Sequence, residues 1–152
     1  MGHKNIDGIK VSRRILKEVR GEALILKESG WQPRLVSVTV GDVKAVQLYV
    51  RNQRRMADQA SVIFEERCFP SSITQVELLA AIHAMNMDPQ INGIILQRPI
   101  SEHLSIKALQ ESVHPFKDVE GMHPASIGKI VYNESELGPC TAIAAVELLK
   151  ST

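Results

Sequence analysis

Asp118 and Glu120 place two carboxylates in the segment Lys117-Asp118-Val119-Glu120-Gly121-Met122-His123-Pro124, whose polarity follows no simple period. Gly121 can take backbone angles closed to other residues, so the carboxylates can be held at a sharp bend. A rigid α/β scaffold usually carries function on such polar connections, although a solvated loop between two helices has the same composition. Tyr49 and Gln53 stand four apart and so share one helical face. Tyr49 offers a flat ring for stacking and a phenol for hydrogen bonding; the plainer alternative is a half-buried packing residue with a solvated neighbour. Gln97 directly ends the apolar run Gly93-Ile94-Ile95-Leu96, where a buried amide must find partners or cost on the order of 1–3 kcal/mol. Metal chemistry has little support. Cys68 and Cys140 are too few and too far apart for a thiolate site, and His103, His114 and His123 lie in separate segments without zinc-ligand spacing.

Positioning these groups takes an alternation of helices and strands. Val11, Ile15, Val19, Ala23 and Leu26 recur at helical spacing, and Gly30 follows as the C-cap. After Pro33, the alternating β-branched run Leu35 to Val40 predicts a strand, and Lys44 to Gln59 a second helix. Ser61 to Phe69 reads as another strand, with Glu65-Glu66-Arg67 putting its far half at an edge or in solvent. Thr74-Gln75-Val76-Glu77 is a capping box, opening a helix whose apolar stripe is Leu78, Leu79, Ile82 and Met85. Gly93 to Leu96 is a strand covered on both faces, and Pro99 closes it. A helix from Ser105 to Val113 follows, then the polar segment, a further helix start, and a last helix from Ala142 to Lys150 with Thr141 as N-cap. The expected fold is α/β: three layers, α/β/α, around a small, mostly parallel sheet, in a single domain spanning residues 1–152. In such a sheet ligands bind beyond the carboxyl ends of the strands. That selects Val40-Gly41-Asp42, Leu96-Gln97-Arg98-Pro99 and the polar loop as the walls of a site.

Composition narrows the functional classes. At 152 residues, 44% hydrophobic and 23% charged, the chain buries a core without a disulfide staple. Its net charge of +1 supplies no field for steering a polyanion, so no nucleic-acid partner is expected. No apolar run reaches membrane-spanning length, and Met1-Gly2-His3-Lys4 leads into a polar stretch without a signal-peptide core. The expected location is cytoplasmic, with no membrane association.

Four segments in order resemble one family, the bifunctional methylenetetrahydrofolate dehydrogenase/methenyltetrahydrofolate cyclohydrolases. Val40-Gly41-Asp42 with Tyr49-Val50 matches the family's Val-Gly…Tyr-Val segment. Gly93 to Pro99 matches its Gly-Ile-x-Val-Gln-Leu-Pro strand end, and His114 to Pro124 its x-Pro-x-Lys-Asp-Val-Asp-Gly-Phe-His-Pro loop. Pro139-Cys140-Thr141 with Leu148-Leu149 matches its Pro-Cys-Thr…Leu-Leu helix start. The resemblance implies an N-terminal folate-binding domain with a tetrahydrofolate derivative as ligand. Tyr49 would contact the folate ring system, and Gln97 would support the proton-transfer residue at position 53. Pro99, Asp118 and Glu120 would complete the substrate site, with Glu120 anchoring the pterin. It also implies a homodimer or association with a full-length homologue.

The chain departs from the pattern at telling positions. Gln53 stands where the family carries its proton-transferring lysine, and Glu120 where it carries the anchoring aspartate. Arg98 stands where a leucine is usual and Ser101 where the second proline is usual, and in the last helix Ala142 and Ala144 take the place of a proline and a glycine. A glutamine amide cannot exchange protons near neutral pH, and losing a general acid/base typically costs ~10²–10⁴ in rate. No Gly-x-Gly-x-x-Gly turn occurs, so NADP is expected only with a separate Rossmann domain. The expectation is a tetrahydrofolate-binding domain with impaired catalysis. Two alternatives stay open: an active cyclohydrolase or split-dehydrogenase partner, and a non-catalytic regulatory module that kept the fold.

Overall fold

A computed structural model describes residues 6–134 and 137–152, so the reading of Met1-Gly2-His3-Lys4 lies outside the described residues. β1 (Arg34–Val40) is the central strand, flanked by β2 (Ile63–Phe69) and β3 (Gly93–Leu96) in the order β2-β1-β3, with both pairings parallel. Parallel neighbours need crossovers, and α2 (Lys44–Gln59) and α3 (Gln75–Met87) lie between the strands in sequence. The pleat sends alternate residues of β1 to opposite faces. Val36, Val38 and Val40 join Ile94 and Leu96 beneath α3 and α4 (Ile106–Ser112), whose Leu78, Ile82, Met85 and Leu109 fill the larger core. On the other face Leu35 and Phe64 meet Val46, Val50 and Ala57 of α2. α2 on one face and α3 with α4 on the other make the α/β/α arrangement; α1 (Gly8–Glu28) packs against α2, and α6 (Cys140–Lys150) against α1.

Local chemistry explains most boundaries. Thr74 and Glu77 form the reciprocal capping box, Thr74 N donating to Glu77 Oε2 at 2.8 Å and Glu77 N to Thr74 Oγ1 at 3.3 Å. α1 ends in a Schellman motif: Gly30 has φ +86°, its N–H donates to Lys27 O, and Trp31 N donates to Leu26 O. β2 lies at the sheet edge, where Arg34 and Arg67 hold Glu65 and Arg54 holds Glu66, a charged guard against edge pairing.

Two boundaries differ from expectation. β2 starts at Ile63 because Ser61, at φ +59°, is still in the turn. The last helix is capped by Pro139 and starts at Cys140, so Thr141 is already inside its first turn; proline's φ of −52° presets the entry. The expected helix start after the polar loop is α5 (Pro124–Val131), a short helix that runs through Gly128. Among the described residues, no helix is long and apolar enough to cross a membrane.

Candidate ligand-binding cleft

At the carboxyl end of β3 lies a cavity of about 350 Å³. The strand end supplies Leu96, Gln97 and Arg98, α2 supplies Tyr49, and the polar loop supplies Glu120 and Met122. The start of α6 closes it with Pro139, Cys140 and Thr141.

Gln97 is 5% exposed and its amide finds the partners its burial demands. Its Nε2 donates to Ser37 Oγ at 2.9 Å and to Gln53 Oε1 at 2.6 Å. Ser37 is fully buried on the α2-facing side of β1, the face it shares with Leu35 and the buried Thr39, so the polar pair is built into the sheet itself. Gln53 does not itself line the cavity; it reaches the cavity wall through Gln97. Tyr49, one turn earlier on α2, is 62% exposed, leaving its ring face available at the rim.

The two loop carboxylates part ways. Glu120 lines the cavity, where burial raises its carboxyl above the ordinary range; the Leu96 backbone N–H and the Arg98 guanidinium pull it back, and Asp118 pushes it up. Asp118 does not line the cavity. Its Oδ2 accepts from His123 N at 2.8 Å and Ser126 Oγ at 2.8 Å, clamping the loop to the start of α5. Pro99, joined to Arg98 by a cis peptide bond, is exposed and lies outside the cavity wall.

The loop's other polar groups serve the scaffold. Lys117 Nζ donates to Met85 O at 2.9 Å and Asp88 O at 2.7 Å, satisfying carbonyls at the end of α3. Desolvation lowers its pKa, Asp88 opposing, but its ammonium is committed away from the cavity. His123 caps α5 through Nδ1, which accepts from Ala125 N at 3.0 Å, leaving Nε2–H to donate to Glu111 O. His114 and His103 bond Phe116 N and Ile73 O separately. Among the described residues, no group of three or more His, Cys, Asp or Glu could hold a metal ion.

Two close approaches hold the walls together. Gly93 admits Val119, since a Cβ there would lie 2.6 Å from Val119 Cγ1, and the loop runs beside β3 with Ile94 bridged to Asp118. Gly121, at φ +65°, abuts Gly138, whose carbonyl carbon a Cβ would meet at 2.4 Å. That contact seats the α6 start against Glu120. Cys140 then donates its thiol to Val119 O at 3.4 Å, and burial, followed by the nearby Glu120, raises its pKa.

Sequence reading put Arg98 and, within the polar loop, Met122 among the walls of the site, but assigned none of Pro139, Cys140 and Thr141 to it. Pro139-Cys140-Thr141 was visible as an ordered motif, but its approach to the loop depends on glycines 17 residues apart, 121 and 138, which no local pattern reveals. The cleft as built can stack a flat ring and accept hydrogen bonds at Glu120. Its amide pair can orient a ligand but offers no group that gains or loses a proton near neutrality.

Comparison with known proteins converges on one family. Residues 6–120 match the family described as tetrahydrofolate dehydrogenase/cyclohydrolase, catalytic domain. The chain is 58% identical over 147 residues to the bifunctional protein FolD 2 of Mesorhizobium japonicum, covering 97% of this chain and 48% of that protein. It is 39% identical to the bifunctional protein FolD of Bacillus subtilis, covering 97% and 52%. Among solved structures, the FolD methylenetetrahydrofolate dehydrogenase/cyclohydrolase of Campylobacter jejuni superposes with a TM-score of 0.93 at 31% identity, covering 96% of this chain and 52% of that one. The Trypanosoma brucei enzyme, solved with NADP cofactor and inhibitor, superposes with a TM-score of 0.91 at 29% identity, covering 99% and 52%. The chain thus spans about half the length of the relatives it matches.

Proposed function

The chain belongs to the tetrahydrofolate dehydrogenase/cyclohydrolase family, matching its catalytic domain, and on that premise we propose that its cleft binds a tetrahydrofolate derivative while the proton-transfer step is impaired. Glu120, half-buried in the cavity wall, accepts hydrogen bonds from the amino and N–H edge of the pterin. Tyr49 covers the ring system from the rim, and Gln97 orients the one-carbon bridge. Hydrolysis of a methenyl bridge adds one water: one of its protons ends on the ring nitrogen that leaves the bridge and the other is released. A lysine at position 53 can relay that proton; a glutamine cannot.

The observation that carries this reading is the 2.6 Å bond from Gln97 Nε2 to Gln53 Oε1. It puts residue 53 in direct contact with the strand-end glutamine, where the family's acid/base would stand, and fills that place with a non-ionisable group. Lys117 offers no substitute, since its ammonium is bonded to α3. Titration calorimetry with a tetrahydrofolate tests the binding half, with saturable heat expected. Loss of methenyl-tetrahydrofolate absorbance tests the other half, with a rate far below that of lysine-bearing relatives expected. Hydride transfer belongs to this reading only together with a nucleotide-binding domain.

A second reading, association with another copy or a full-length homologue, is favoured by the outer helices. Ile9, Val19 and Ile25 of α1 and Ile143, Val146 and Leu149 of α6 remain exposed. Light scattering after gel filtration separates a dimer from a monomer.

A further inference from the structure

We infer that Arg98 is a specificity residue that receives the anionic tail of the ligand, so that the cleft selects folates bearing a glutamate carboxylate over tail-less pteridines. This rests on the tetrahydrofolate-binding reading above and deepens it. Arg98 is the cationic side chain among the residues lining the cavity. Four other guanidiniums hold carboxylates, Arg34 and Arg67 on Glu65, Arg54 on Glu66 and Arg14 on Glu18, whereas Arg13, Arg20, Arg51 and Arg55 make no ion pair with the described residues and line no part of this cavity. Arg98 makes no ion pair or side-chain hydrogen bond with the described residues, although it stands near enough to Glu120 to pull that carboxyl's pKa down.

The wall is therefore polarised, with an acceptor carboxylate in its half-buried part and a free cation on its exposed part. A cavity of about 350 Å³ is near the lower end for ligand sites, room for a ring system but not for the rest of a drug-sized molecule. The remainder must run out over the rim, where Arg98 stands. Tetrahydrofolate has the matching polarity: a donor-rich pterin at one end and two carboxylates at the other. A planar guanidinium suits carboxylate, being permanently charged with its donors in a fixed fork.

The test compares tetrahydrofolate with tetrahydropteroate, which has the same ring system without the glutamate, by anaerobic calorimetry on the wild type, Arg98→Leu and Arg98→Lys. The wild type is expected to prefer tetrahydrofolate by about two- to fivefold, the range of an exposed ion pair. Roughly 1 M salt should erase that preference, because the Debye length falls to ~3 Å. Arg98→Leu should bring the two affinities together, any change it makes through Glu120 falling on both ligands alike, and Arg98→Lys should keep part of the preference. If the wild type binds both ligands equally, or Arg98→Leu weakens both equally, Arg98 acts on Glu120 or the scaffold and the inference is overturned while the folate reading stands. If neither ligand binds, the folate reading fails and the inference falls with it.

Discussion

Gln53→Lys replaces an acceptor with a donor at the centre of the amide pair. In the wild type Gln97 gives Nε2 to both Ser37 Oγ, at 2.9 Å, and Gln53 Oε1, at 2.6 Å. An ammonium can only donate, so Gln97 must turn its amide over and present Oε1 instead. Ser37 permits the turn, because a hydroxyl that accepted can rotate and donate. Both bonds survive, and stability is expected to stay within about 1 kcal/mol of wild type. The gain is kinetic. A competent acid/base restores ~10²–10⁴ in rate, equivalent to about 2.7–5.5 kcal/mol of barrier. The assay is loss of methenyl-tetrahydrofolate absorbance above the buffer rate, with affinity measured in parallel. Gln53→Met, similar in length and without donor or charge, should gain nothing, and adding Gln97→Leu to the lysine variant should remove most of the gain. A lysine variant that binds ligand yet hydrolyses no faster than wild type would falsify the reasoning, as would a wild type already running at the lysine variant's rate.

Asp118→Ala strands the His123 N–H and the Ser126 hydroxyl, so a loss of about 2–4 kcal/mol in urea unfolding is expected; Asp118→Asn, whose amide oxygen can still accept, should lose less. Gly121→Ala brings a Cβ to 2.4 Å from the Gly138 carbonyl carbon at φ +65°, which should cost about 1–3 kcal/mol and weaken ligand binding more than tenfold by parting α6 from Glu120; unchanged affinity would mean that α6 does not shape the site. Burial raises the Glu120 pKa in the folded protein, so folding favours its protonated form. Its contribution to stability is therefore greatest below the unfolded carboxylate range and is lost as pH rises through the folded pKa. The wild-type urea midpoint, taken relative to Glu120→Gln, should fall across that window, whereas ligand affinity should rise as the acceptor ionises. A difference that is flat with pH would contradict the assigned burial.

The fold was legible because its elements declare themselves locally. β1 alternates, β3 is wholly apolar, and Thr74 and Glu77 write the start of α3 in four residues. The site was legible only in part. Tyr49 and Glu120 reach the cavity wall and Gln53 meets Gln97, but Asp118, two residues from Glu120, turns to α5 instead. Nothing in the spacing of two carboxylates distinguishes ligand from clamp; the difference is made by Ser126 and His123, which act only once α5 has formed. Lys117 is similar: its partners are the carbonyls of Met85 and Asp88, roughly thirty residues back, and only tertiary packing brings them together.

The double anchoring of the polar loop bears on how a ligand would be received. Lys117 ties one end to α3 and Asp118 the next residue to α5, while Ile94 and Gly93 hold the strip against β3. Ordering a loose backbone costs roughly 1–2 kcal/mol per residue. Here that entropy is surrendered when the chain folds, before any ligand arrives. Glu120 therefore waits as a preorganised acceptor, and association should proceed without a slow loop-closing phase.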